Sequence, residues 1–143
     1  MLLLDTNVLS EFMRPQPADV VVAWLDAQPA AQLYTCAVSR AEIELGLALM
    51  PVGKRQAALV QAAQGMFEDD FSGQCLPFDE AAASAYACIV AARTRAGRPI
   101  GVEDAQIAAI ARVRGLRLAT RNVPDFLNIE GLTVVDPWQA GLL

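Results

Sequence analysis

Apolar and polar positions divide the chain into short apolar runs and longer amphipathic stretches, the pattern of strands alternating with helices. Met1 to Leu4 reads as a buried strand that ends at Asp5-Thr6-Asn7 and passes into a helix starting near Val8, which Pro15 and Pro17 stop. Asp19 can cap a second helix carrying Val20, Val21, Trp24 and Leu25. A brief strand from Gln32 to Cys36 leads to Ser39, which together with Glu42 spells a capping box for a helix through Met50. Gly53 introduces a long amphipathic helix to about Asp70, Leu76 to Phe78 forms a strand, and Asp79 caps an alanine-rich helix to Ala96. After the turn from Gly97 to Gly101, Val102 to Gly115 reads as a helix with Asp104, Ile107, Ala108 and Ala111 on one face and Gly115 closing it. Leu116 to Thr120 and Leu132 to Val135 are the last strands, and a loop from Arg121 to Phe126 follows the first of them.

This order predicts an α/β fold with a mostly parallel sheet covered on both faces, in which functional groups gather outside the carboxyl ends of the strands. Asp5 and Asn122 stand at two such strand exits. No repeat or low-complexity segment interrupts the pattern, so residues 1–143 read as one domain, a size that can bury a core without staples.

Composition narrows the chemistry. Histidine is absent, which excludes Ser-His-Asp and Cys-His nucleophiles, paired-imidazole cleavage of RNA and histidine-ligated zinc. Cys36, Cys75 and Cys88 are odd in number and far apart, so they read as buried thiols without a disulfide framework or a metal motif. Lys54 is the only lysine and its surroundings do not spell a phosphate-binding loop. Any catalysis therefore falls to carboxylates. Although 55% of residues are apolar, no run approaches the roughly 18 needed for a membrane span. Met1 to Leu4 lacks the basic flank of a signal peptide, so the expected location is cytoplasmic, away from membranes.

A net charge of −5 argues against a uniformly basic nucleic-acid surface. Between Arg93 and Arg121, however, seven arginines face two acids, a local balance of +5 that is either a solvated helical face or an RNA contact. Three segments place an acid beside a strand end or a helix start: LLLDTN with Asp5, SRAEIELG with Glu42 and VEDAQIAAIA with Asp104. Each has an ordinary explanation, as a turn residue, a capping-box partner or a complement to the helix dipole. Converged on one crevice, the three would suit a hard divalent cation, which takes oxygen ligands.

The segments LLLDTNVLSEFMR, SRAEIELG, EDAQIAAIA and LATRNVPDF, in that order and across nearly the whole chain, resemble the four motifs of the PIN domain. Within that family they are similar to the VapC-like toxin ribonucleases of toxin-antitoxin modules. The resemblance implies a three-layer α/β/α fold around a mostly parallel sheet of about four to five short strands. It implies a metal-dependent endoribonuclease in which Asp5, Glu42 and Asp104 hold Mg2+ or Mn2+, with Asn122 as the fourth catalytic position, often aspartate in relatives. Thr6 and Thr120 would lie near the metal. An amide at Asn122 is a weaker ligand than a carboxylate, and Asp125 either replaces the missing charge or caps the following turn. Glu103, about 100° round the helix from Asp104, should point away.

Arg112, Arg114, Arg117 and Arg121 flank the Asp104 helix and the strand leading to Asn122, and are the expected RNA contacts. Apolar side chains including Val20, Val21, Trp24, Leu25, Leu45, Leu47, Leu49 and Met50 are either core or interface. The resemblance implies a homodimer and a cognate antitoxin seated in an apolar groove between the N-terminal helices, with DNA bound only through the antitoxin. Two other readings stay open: a catalytically silent PIN-like module that binds RNA or protein, and a phosphatase with Asp5 as nucleophile. The second would usually want an acid where Asn7 stands.

Overall fold

The computed structural model describes residues 1–139; residues 140–143, the end of the expected domain span, lie outside it. Its sheet is built on the first apolar run. Strand β1 (Leu2–Leu4) pairs in parallel with β2 (Leu33–Cys36) on one side and β4 (Arg117–Ala119) on the other. Two outer strands, β3 (Cys75–Leu76) and β5 (Val134–Val135), complete a five-stranded parallel sheet in the order β3-β2-β1-β4-β5.

Successive side chains of a strand point to opposite faces, and the three leucines of β1 show it. Leu2 and Leu4 enter a core packed by α1 (Thr6–Met13), α2 (Asp19–Asp26), α3 (Ala37–Ala48) and α4 (Lys54–Gly65). Leu3 enters the core on the other face, formed by α5 (Glu80–Arg95) and α6 (Val102–Arg114). With both faces covered, the three residues of β1 are all apolar and buried rather than alternating, as the central strand of a three-layer α/β/α fold requires. Among the described residues no helix is long and apolar enough to cross a membrane.

The expected α-helices form, with two local differences besides the start of α2, where Ala18 takes the N-cap position and Asp19 is the first helical residue, with no side-chain cap bond. First, α3 begins at Ala37, and Cys36 occupies the N-cap position without a side-chain bond. Ser39 and Glu42 therefore make no capping box: Ser39 is buried within the first turn, and both side chains turn to Thr6. Second, the helix from Gly53 gives way after Gly65 to a π-turn over Met66–Asp70, which buries Met66 and Phe67. Of the three cysteines only Cys36 is buried; Cys75 is partly covered and Cys88 is exposed.

The strand order reverses at β1, whose neighbours β2 and β4 lead the chain outward in opposite directions. A crevice opens at such a point beyond the carboxyl ends of the strands. The exits of β1 and β4 and the start of α3 meet there.

Candidate active site

Asp5 follows β1 directly and is its continuation: its amide donates to the carbonyl of Ala119 in β4 at 2.9 Å. As the N-cap of α1 it receives the amide of Thr6 on Oδ1 at 2.7 Å. Oδ2 receives the hydroxyl of Thr120 at 2.7 Å and the amide nitrogen of Asn7 at 3.4 Å. The carboxylate is only 4% exposed, and burial pushes its pKa up despite these donors.

Thr6 joins α1 to α3. Its hydroxyl donates to Glu42 Oε1 at 2.8 Å and lies 2.9 Å from Ser39 Oγ. Asn7 joins α1 to the strand exit opposite: its Nδ2 donates to Thr120 Oγ1 at 3.2 Å, and its Oδ1 accepts the amide of Arg121 at 3.2 Å. Thr120 Oγ1 also accepts the amide of Asn122 at 3.1 Å. Two threonines and an asparagine thus fix the chain segments that carry Asp5, Glu42 and Asn122.

Asp104 arrives from the first turn of α6, half-buried. Its pKa is pushed up to about 6, first by burial and then by the negative charges of Asp5, Asp125, Glu42 and Glu103. Asp5, Glu42, Asp104 and Asn122 line one cleft of about 1070 Å³. Asp125 is exposed, yet its charge raises the pKa of both Asp5 and Asp104, so it belongs to the electrostatics of the site. Glu103 is exposed and does not line this cleft; it lines an adjoining hollow with Leu45 and Gln106, which Glu42 also borders.

Among the described residues, no three acidic or thiol side chains converge as a ready-made metal cluster. The donor set nonetheless suits a hard cation: every candidate ligand is oxygen, and Mg2+ is usually held by one or two carboxylates while keeping several waters. A positive ion would also offset the mutual repulsion that Asp104 experiences.

Of the four arginines expected to contact RNA, the fold brings Arg121 alone to this cleft, its guanidinium 4.9 Å from the ring centre of Trp138. Arg112 packs near Gly131, Arg114 pairs with Asp79 at 3.4 Å, and Arg117 opens β4, at the strand end remote from Asp5. Arg14 and Arg55 line the cleft instead. Sequence reasoning missed these two and Trp138, because only the packing of α1, α4 and the C-terminal turn brings them to the site. Asn7 and Ser39 also belong to the site's hydrogen-bond network; both lie within the LLLDTNVLSEFMR and SRAEIELG segments, but their partners are set by the fold.

A parallel α/β sheet with carboxylates gathered at its switch point defines the class, and the sequence matches the PIN domain over residues 2–131. The chain belongs to the PIN-domain family. It is 40% identical to VapC ribonuclease Y4jK of Sinorhizobium fredii over 97% of this chain and 99% of that protein. It is 41% identical to toxin FitB of Neisseria gonorrhoeae, over 96% of this chain and 99% of FitB. The structure of FitAB bound to a DNA fragment superposes with a TM-score of 0.86 at 39% identity, covering 96% of both chains.

Proposed function

We propose that this chain is a metal-dependent endoribonuclease acting as the toxin of a toxin-antitoxin pair. The observation that carries the reading is the shared cleft of Asp5, Glu42 and Asp104, in a family whose similar members include a VapC ribonuclease and a toxin. Asp5, Glu42 and Asp104 would hold Mg2+ or Mn2+. When bound, such an ion supplies Lewis-acid activation of water and stabilises charge developing at the scissile phosphate. Thr6 and Thr120 orient two of the carboxylates through their hydroxyls, so the acids are aimed before substrate arrives. Arg121, steadied on Trp138, and Arg14 and Arg55 offer positive charge to the RNA backbone. An open crevice at a sheet edge admits an exposed phosphodiester in single-stranded or loop RNA more readily than a stiff duplex.

Apolar side chains, Met13, Pro15, Leu47 and Leu59 among them, also line this cleft beside Glu11, Arg14 and Arg55, a mixed lining that suits an antitoxin segment. Leu45 and Val102, 59% and 54% exposed near the site, suit a second copy of this chain. With a net charge of −5, the chain leaves DNA contact to the antitoxin.

The test is cleavage of a single-stranded RNA with added Mg2+ or Mn2+. The nuclease reading expects cleavage that chelator abolishes and that Asp5→Asn lowers at least about a hundredfold. A catalytically silent module, the alternative that the amide of Asn122 favours, gives RNA binding without cleavage.

A further inference from the structure

We infer that Arg93, outside the cleft, is a positioning residue that holds together the two chain segments delivering Asp104 and the 122–125 arch to the site. It stands near the end of α5 and is 8% exposed. Its Nε donates to the carbonyl of Arg98 at 2.8 Å. Its Nη1 donates to the carbonyls of Asp125 at 3.1 Å and Leu127 at 3.4 Å. No carboxylate forms an ion pair with Arg93 among the described residues. A buried cation is costly unless compensated, and here backbone carbonyls compensate it, one from the turn that follows α5 and two from a segment more than thirty residues away.

Each segment leads straight to the cleft. The amide of Arg98 returns a bond to the carbonyl of Arg93 at 2.9 Å, which closes the turn between α5 and α6 from both directions. Asp104 follows six residues later, in the first turn of α6. On the other side, the amide of Asp125 donates to the carbonyl of Asn122 at 3.0 Å, within the 3-10 turn Val123–Phe126. The front of this arch is tied to Thr120, and through it to Asp5. Arg93 ties its rear. The planar fork of arginine can serve carbonyls in different directions, whereas the ammonium of lysine is a compact point charge on a flexible stem.

The test uses the full chain and rests on the nuclease reading for its kinetic arm alone. Arg93→Lys and Arg93→Met should each lower kcat by about tenfold or more, as small displacements of catalytic groups do, with KM changed by less than about threefold. Ile89→Val, which loosens the same helix and core, should leave kcat near wild type. Amide exchange should quicken in residues 98–104 and 122–127 while Leu3 and Leu118 stay protected. If Arg93→Met does not fold, Arg93→Lys decides. Wild-type kcat in either folded variant, or an equal loss in Ile89→Val, overturns the inference. If the wild-type protein cleaves no RNA, the nuclease reading fails, and exchange still decides: unchanged protection in both segments overturns the clamp.

Discussion

Asp104 is where the electrostatic cost of the cleft concentrates. Its pKa of about 6 in the fold exceeds its ordinary value of 3.8, so folding takes up a proton between those values. Its contribution to stability is complete below pH 4 and is lost as pH rises to about 6. Asp104→Asn should therefore stabilise the metal-free protein above pH 6 by about 1 kcal/mol, allowing for its partial exposure, and give little gain at pH 4. Thermal melts at the two pH values check this. A substitution that stabilises the fold yet removes cleavage marks a residue kept for function. At this scale Asp5 and Asp104 were legible in the sequence, because one closes a strand and the other opens a helix, whereas Glu42 lies in the second turn of α3 and stood out only through the SRAEIELG motif. Their partners were less so: Thr6 and Asn7 bond to residues 33 to 114 positions away, and no local pattern encodes that.

Among elements, α6 was the easiest to foresee. Its apolar face and the glycine after it left little choice, and Gly115 indeed adopts a left-handed backbone with φ of 67° at the C-cap. Nothing lies within 4 Å of a side chain added there, so Gly115→Ala isolates the conformational term. It should cost about 1 kcal/mol in chemical denaturation. The start of α3 was harder. Ser39 and Glu42 have capping-box spacing, but tertiary contact with Thr6 outweighs the local bond, and the helix begins earlier. The strands β3 and β5 pair over only two residues each, and β3 covers Cys75–Leu76 rather than Leu76 to Phe78, since Pro77 has no amide hydrogen to donate to a ladder.

For the whole molecule, the alternation of strand and helix was enough to indicate two covered faces, and β1 realises it by sending alternate leucines into opposite cores. The arginine-rich stretch was misleading at this scale. Linear density suggested one basic surface, whereas the fold sends Arg121 to the cleft and carries Arg114 and Arg117 elsewhere. Surface apolar residues follow the same rule: Val21, Leu25 and Leu47 are buried, while Leu45 and Leu49 are 59% and 75% exposed. If Leu45 covers a dimer interface near the site, Leu45→Glu should convert the dimer to a monomer in light scattering without lowering the melting temperature of the monomer.

The most direct test is a calorimetric titration of Mn2+ into the protein at pH 7.5 and pH 5, beside Asp5→Asn. A cation held by the carboxylates of the cleft predicts binding at pH 7.5, weakened about tenfold at pH 5 as Asp104 takes up its proton, and absent in the variant. Equal binding by wild type and variant, or none by wild type at either pH, would contradict it.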